Sequence, residues 1–253
     1  DTDKSGHDTG TFASTGLIVG GAAVQKAATV LRDQVRYLAS RYTGLPAKHC
    51  IPGDGVVDCN GMPVPLTEIY ESAANDGIKL NAFRKAYASP RSVSFNVHGF
   101  RLAVNRITGE IDILQSVHAA DAGTVMNPLQ CTGQVEGGVA QAIGWAMIEN
   151  MIINEYGAVT NPNLRNYRIP AFSDIPRTEF YFATTFDSVG PMGAKAMSES
   201  PVNPVAAAMA NALADATGIR FAKLPFTPPR LFKEMEALGI TARPPLAVVS
   251  KRS

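Results

Sequence analysis

The chain has 253 residues, enough to bury one or two substantial cores. Hydrophobic residues make up 45% and charged residues 18%, and the formal net charge of +1 offers no basic stripe for nucleic acid. No apolar run reaches membrane-spanning length, and the acidic start at Asp1 and Asp3 lacks the basic flank of a signal peptide, so a cytoplasmic protein without a membrane partner is expected.

Residues 1–16 are polar and rich in turn formers, but Phe12 and Ala13 interrupt the polarity as in a binding loop. The chain opens without methionine in what reads as a structured loop, as expected of a fragment, a processed chain or part of something longer. From about Gly20 to Arg41, Val24, Ala28, Leu31, Val35 and Leu38 recur at helical spacing, and Gly44 with Pro46 ends the helix. Between 47 and 65, Asp54-Gly55 and Asn60-Gly61 predict a small β-hairpin. Thr67 to Asn75 reads as a short helix capped by the Thr67 hydroxyl and stopped at Gly77. Ser92–Val104 and Ile111–Val117 read as antiparallel strands about the turn Thr108-Gly109-Glu110. Asn127-Pro128 starts a long helix to about Met151 that turns Val135, Val139, Ala142, Trp145 and Ile148 toward a core. After a loop-rich stretch from 150 to 170 come a strand, Glu179–Thr185, and an alanine-rich helix from Asn203-Pro204 to Thr217. A last helix runs from Thr227-Pro228 to Leu238. Helices alternating with hairpins predict an α+β fold of antiparallel hairpins packed with helices, in one domain over 1–240 followed by a mobile basic tail, 241–253.

The three cysteines, Cys50, Cys59 and Cys131, form no CxxC pair, which argues against a zinc site or an iron–sulfur cluster held by this chain. Cys50 and Cys59 could close a loop, but three reduced thiols are the expectation for a cytosolic protein. None of the four histidines pairs with another at metal-ligand spacing, so a metal held by side chains is not expected. No GxSxG, GxGxxG or P-loop motif occurs.

Three loops invite a chemical reading. Thr11-Phe12-Ala13-Ser14-Thr15-Gly16 offers hydroxyls and backbone N–H groups to an anion, or simply caps a helix. Cys131-Thr132-Gly133-Gln134-Val135-Glu136-Gly137-Gly138 places three glycines near the front of a helix, for a flat ligand or for tight helix packing, with Gln134 able both to donate and to accept. The upstream Asp121 reads first as a turn former. Gly193-Ala194-Lys195-Ala196-Met197-Ser198-Glu199-Ser200-Pro201 sets one carboxylate at a loop-to-helix junction, which suits a general base. Lys195 and Glu199, four apart, also fit a surface ion pair. Burial against apolar groups would raise the Glu199 pKa and pairing with Lys195 would lower it, and the sequence leaves both open.

At these residues the chain resembles the xanthine dehydrogenase and aldehyde oxidase family of molybdenum hydroxylases, in the C-terminal half of the molybdopterin-binding subunit. The resemblance runs from the first residues to about Glu234. It is carried by Asp121-Ala122-Gly123 with Asn127-Pro128, by Gly133 to Gly138, by Asn166-Tyr167-Arg168-Ile169-Pro170-Ala171-Phe172, and by Lys195, Glu199 and Pro201 in that order. It implies that Ala13, Ser14, Thr15 and Gly16 line the pterin, that Gln134 binds it, and that Glu199 is the base in a hydroxylation using water-derived oxygen. It implies a molybdenum-molybdopterin cofactor, in some relatives a dinucleotide, with the metal held by the pterin dithiolene. The substrate is then an aldehyde, a purine or an N-heterocycle. 2Fe-2S clusters and FAD are expected on partner domains or subunits, and the N-terminal half of the molybdenum subunit on a partner chain. Ser198 stands where the family commonly has glycine. The alternatives are a non-catalytic half-subunit that scaffolds a multi-subunit redox complex and a related chain that binds another flat cofactor.

Overall fold

The computed structural model describes residues 3, 6, 10–87 and 91–242, and the chain divides into two compact units. The first unit comprises Asp1–Ser92 with Ser188–Met192, and the second Val93–Asp187 with Gly193–Ser253. The basic tail expected from Thr241 lies, from residue 243 onward, outside the described residues.

In the first unit a turn of π-helix, Gly16–Gly21, runs directly into α1, Ala22–Thr43. Gly44, in the left-handed region at φ 72°, ends α1 as its sequence position predicts. Strands β1 (Cys50–Pro52), β2 (Val56–Cys59) and β3 (Met62–Pro65) form an antiparallel sheet, one strand more than the hairpin expected. α2, Leu66–Asn75, starts at Pro65 with no side-chain cap, so Thr67 lies inside the helix and does not cap it. Val35, Leu38 and Ala39 of α1 pack with Val57, Val64, Ile69 and Ala73 around the two cysteines.

Those cysteines correct an expectation. The β1–β2 register sets Cys50 opposite Cys59, with Cα atoms 4.0 Å apart, and the two form a disulfide buried in this small core. Directly opposed positions of an antiparallel pair bring Cβ atoms close enough for the bond, which a nine-residue spacing in sequence does not reveal. Cys131 alone is a free thiol.

The second unit is built on a three-stranded sheet in the order β4 (Asn96–Val104), β5 (Ile111–Ala120), β6 (Thr178–Phe182). β4 and β5 form the predicted hairpin, but β6 runs parallel to β5. A parallel neighbour needs a long crossover, and α3, Pro128–Met147, lies within it, so the sheet is mixed rather than made of antiparallel hairpins alone. Asn127 caps α3, its Oδ1 accepting from Gln130 N–H at 3.0 Å. Val135, Val139, Ala142, Ile143 and Ala146 of α3 pack against α4 (Val205–Thr217), α5 (Pro228–Ala237) and the inner face of the sheet. Trp145 is exposed and Ile148 only half-buried, contrary to expectation. Repeated steps of three drift around a helix of 3.6 residues per turn, so Trp145 falls about 80° from Val135 while Ala146 stays on the core stripe.

The β4–β5 hairpin, with a one-residue register shift between Arg101 and Leu102, sets His98 opposite His118 on the inner face. Their Nδ1 atoms lie 2.9 Å apart. His118 Nε2 lies 3.1 Å from Asn96 Oδ1 and His98 Nε2 3.1 Å from Ser116 Oγ, which in turn meets Thr178 Oγ1 at 2.8 Å. If Asn96 Oδ1 accepts from His118, neutral rings satisfy the whole chain of bonds, with His98 donating from Nδ1 and accepting at Nε2. Burial lowers both histidines to about 4, and for His98 the neighbouring ring adds to the effect.

Two expected outcomes follow from these cores. Between pH 6.5 and about 4 the unfolded histidines bind protons that the folded ones refuse, so stability is full above 6.5 and falls as pH drops through this window. Thermal unfolding across that range should show a falling midpoint, and His118→Gln should flatten the fall. Alkylation of the unfolded protein without reductant should label Cys131 and leave a linked Cys50–Cys59 peptide, and removing the link should cost roughly 2–3 kcal/mol.

Candidate functional site

β5 runs out into Asp121-Ala122-Gly123-Thr124, and the segment carrying Glu199 lies alongside. Lys195 N–H donates to Ala122 O at 2.9 Å and Thr124 N–H to Gly193 O at 2.8 Å, and Gly123 forms an antiparallel bridge with Ala194. Gly123 has φ +61°, and a Cβ there would collide with the Gly193 carbonyl, so only glycine allows this approach.

One ion pair closes the junction. Lys195 Nζ donates to Asp121 Oδ2 at 2.6 Å, with side chains only 14% and 9% exposed. Thr185 Oγ1 (2.5 Å) and Gly123 N–H (3.2 Å) donate to Oδ1. Burial pushes the Asp121 carboxyl up, but the hydrogen bonds from Lys195, Thr185 and Gly123 and the Lys195 charge outweigh it and hold the group below its ordinary value. Asp121 is therefore more than a turn former, and Lys195 is committed to it. Local spacing carries no sign of this partnership, because the two residues are 74 apart.

The other flank of the loop is tied to α3. Gln134 Nε2 donates to Ser198 O at 2.5 Å. A Cβ on Gly138 would lie 3.1 Å from Pro201 Cβ and 3.4 Å from Val202 Cγ2, so this glycine serves close packing. Met197 and Pro201, on either side of Glu199, are buried, whereas Glu199 is exposed on this unit. The apolar burial weighed from the sequence does not surround it here. Thus Gln134 and Glu199, singled out separately, belong to one assembly.

Gly133 and Gly137 behave differently from Gly138. A Cβ on either would meet nothing within 4 Å, and both line a groove of about 750 Å³ with Glu136, Pro170, Phe172 and Arg177. The end of the Asn166–Phe172 motif, Pro170 to Phe172, lines the same groove. Tyr167 Oη donates to Glu149 at 2.6 Å, and Pro170 sits over Gly144, where a Cβ would come within 2.9 Å of its Cδ.

The loop Ala13–Gly16 belongs to the first unit. Ala13 (φ 50°) and Ser14 (φ 59°) are consecutive left-handed residues without the freedom of glycine, each costing about 1–3 kcal/mol. Thr15 Oγ1 donates backward to Phe12 O at 2.7 Å and makes no bond to the helix that follows. The simple capping alternative is therefore not what the residues do.

The sequence profile of the molybdopterin cofactor-binding domain matches residues 1–176. The chain belongs to that family. It is 32% identical over 248 residues to the putative xanthine dehydrogenase molybdenum-binding subunit of Escherichia coli, covering 95% of this chain and 33% of that protein. It is also 32% identical over 242 residues to a probable hypoxanthine oxidase of the same organism, covering 94% and 25%. Quinoline 2-oxidoreductase from Pseudomonas putida shares the fold with a TM-score of 0.83 at 26% identity, over 92% of this chain and 32% of that one. The Cu,Mo-CO dehydrogenase superposes with a TM-score of 0.85 over 95% and 32%, and at 23% identity it speaks for the fold alone. The chain thus spans a quarter to a third of the length of these relatives. Among the described residues of this cofactor-binding domain, no group of three or more His, Cys, Asp and Glu could hold a metal ion.

The glycines of α3 separate experimentally. Gly138→Val should push the 200–202 turn off the helix and cost about 1–3 kcal/mol in thermal unfolding. Gly137→Ala, with open space around it, should stabilise the helix by up to about 1 kcal/mol.

Proposed function

We propose that this chain is the C-terminal half of the molybdopterin-binding subunit of a molybdenum hydroxylase. The enzyme would hydroxylate an aldehyde, a purine or an N-heterocycle with oxygen derived from water. The observation that carries the proposal is the double anchoring of the Glu199 loop, by Asp121 and Ala122 on one flank and by Gln134 and Gly138 on the other. A general base gains from such restraint because it must meet one proton at one position.

The residues fit a flat, anionic pterin. Ala13 and Ser14 hold a costly backbone turn just ahead of a helix, the kind of strain that concentrates where a backbone meets a ligand. Gly133 and Gly137 leave bare helix surface that packing within the unit does not use. Gln134 spends its Nε2 on Ser198, which leaves Oε1 to accept from a heterocycle N–H. Ala13, Ser14, Thr15, Gly16 and Gln134 would thus hold the cofactor. When bound, that group supplies the two-electron redox centre, with its metal held by pterin sulfur. Glu199 accepts the proton released from the water-derived oxygen as the substrate is hydroxylated. 2Fe-2S clusters and FAD on partner domains or subunits would take up the electrons, and a partner chain carrying the N-terminal half of the subunit would complete the site. No helix of the described residues is long and apolar enough to cross a membrane.

Glu199→Gln in the assembled enzyme should lower turnover of these substrate classes by about 10²–10⁴-fold while molybdenum content, read by elemental analysis, stays constant. Unchanged turnover would remove the base assignment and leave the scaffolding half-subunit in its place.

A further inference from the structure

The Asp121–Lys195 pair anchors one flank of the Glu199 loop four residues before Glu199, and no proton or electron in the chemistry above passes through it. Residue 195 is held twice by the same short loop, through its ammonium to Asp121 (2.6 Å) and through its N–H to Ala122 O (2.9 Å). Beyond it, Ser198 O is held by Gln134, and Pro201 rests against Gly138. Glu199 therefore sits on a span pinned at both ends. The same arrangement commits the one lysine of that loop to another carboxylate. Thr185 Oγ1 and Gly123 N–H occupy the second oxygen of Asp121, so the acceptor is itself oriented.

We propose that Asp121 and Lys195 are positioning residues for Glu199. The pair sets the register of the loop and engages the Lys195 ammonium away from the Glu199 carboxylate. This inference rests on the reading of Glu199 as the base. A lysine that only stabilised the fold would alter yield and melting temperature, but would not act on turnover through Glu199.

A double-mutant cycle in the assembled, molybdenum-loaded enzyme separates the two roles. Single-turnover rates, KM and molybdenum content are read for Lys195→Met, Lys195→Arg, Glu199→Gln and the Lys195→Met/Glu199→Gln double variant. Lys195→Met should slow turnover by about 10–100-fold with KM changed less than about threefold, since a misplacement of about 1 Å suffices for such a loss. Lys195→Arg, which keeps the charge, should recover most of the rate. In the Glu199→Gln background the methionine substitution should change the rate less than about twofold, because residues acting as a unit are not additive. An equal loss in both backgrounds, or no loss in either, overturns the proposal. If Glu199→Gln alone leaves turnover intact, the base reading fails first and takes the inference with it, a result distinct from additivity. Should Lys195→Met fail to accumulate, Thr185→Val in the same cycle removes one donor to Asp121. It should slow the parent by a few fold and leave the Glu199→Gln variant unchanged.

Discussion

A lysine ammonium and an aspartate carboxylate, withdrawn together from water, join the end of a central strand to a loop 74 residues further along. Such a pair adds little net stability, because desolvation offsets the attraction, but leaving either partner alone in the same place costs about 3–5 kcal/mol. The pair therefore acts less as glue than as a condition on geometry. The chain reaches its folded state with Lys195 at Asp121 or leaves a charge stranded. Two backbone hydrogen bonds and the close approach at Gly123 extend this one contact into a fixed junction.

The segment from β5 through α3 supplies Asp121, Ala122, Gln134 and Gly138, the anchors on both flanks of the Glu199 loop, while Thr185 orients Asp121 from beyond β6. Asp121 and Ala122 follow the strand, and Gln134 and Gly138 lie in the first turns of the helix after it. Thr185 follows β6, and Ala183 N–H still bonds to Ala120 O before that strand departs. The anchoring groups thus cluster at the carboxyl ends of two parallel strands and at the crossover that links them. Loops leave such ends toward a crevice in open sheets that contain parallel strands, where ligands commonly bind. The buried chain from Asn96 through His118 and His98 to Thr178 stitches the three strands together beneath these loops. Its members are mutually satisfied, which is what allows two neutral imidazoles to sit in a core.

The first unit follows a different economy of packing. Its core is small, and the Cys50–Cys59 bond passes through the middle of it. Small cores bury a low fraction of their surface, and a covalent link across the sheet limits the unfolded chain where apolar burial is thin. Near its start, the consecutive left-handed residues Ala13 and Ser14 mark the one described place in the unit where two non-glycine residues in a row hold a conformation that ordinary loops avoid. Strain of this kind concentrates where a backbone must present itself to something else.

Much of this was legible in the sequence, for local reasons. Helices α1, α3, α4 and α5 announced themselves through apolar spacing and start or stop signals such as Gly44, whose left-handed conformation is a property of a few adjacent residues. The hairpin at Thr108 was likewise legible from its turn, but the His98–His118 pairing depends on the one-residue register shift at Arg101/Leu102, which the turn does not reveal. Candidate residues Gln134 and Glu199 stood out because glycine, proline and a lone polar group make an unusual neighbourhood. The parallel alignment of β6, the Cys50–Cys59 bond, the partner of Lys195 and the different duties of Gly137 and Gly138 were decided only in three dimensions. Each depends on which residues distant in the chain become neighbours, and spacing along one strand or helix carries no information about that choice.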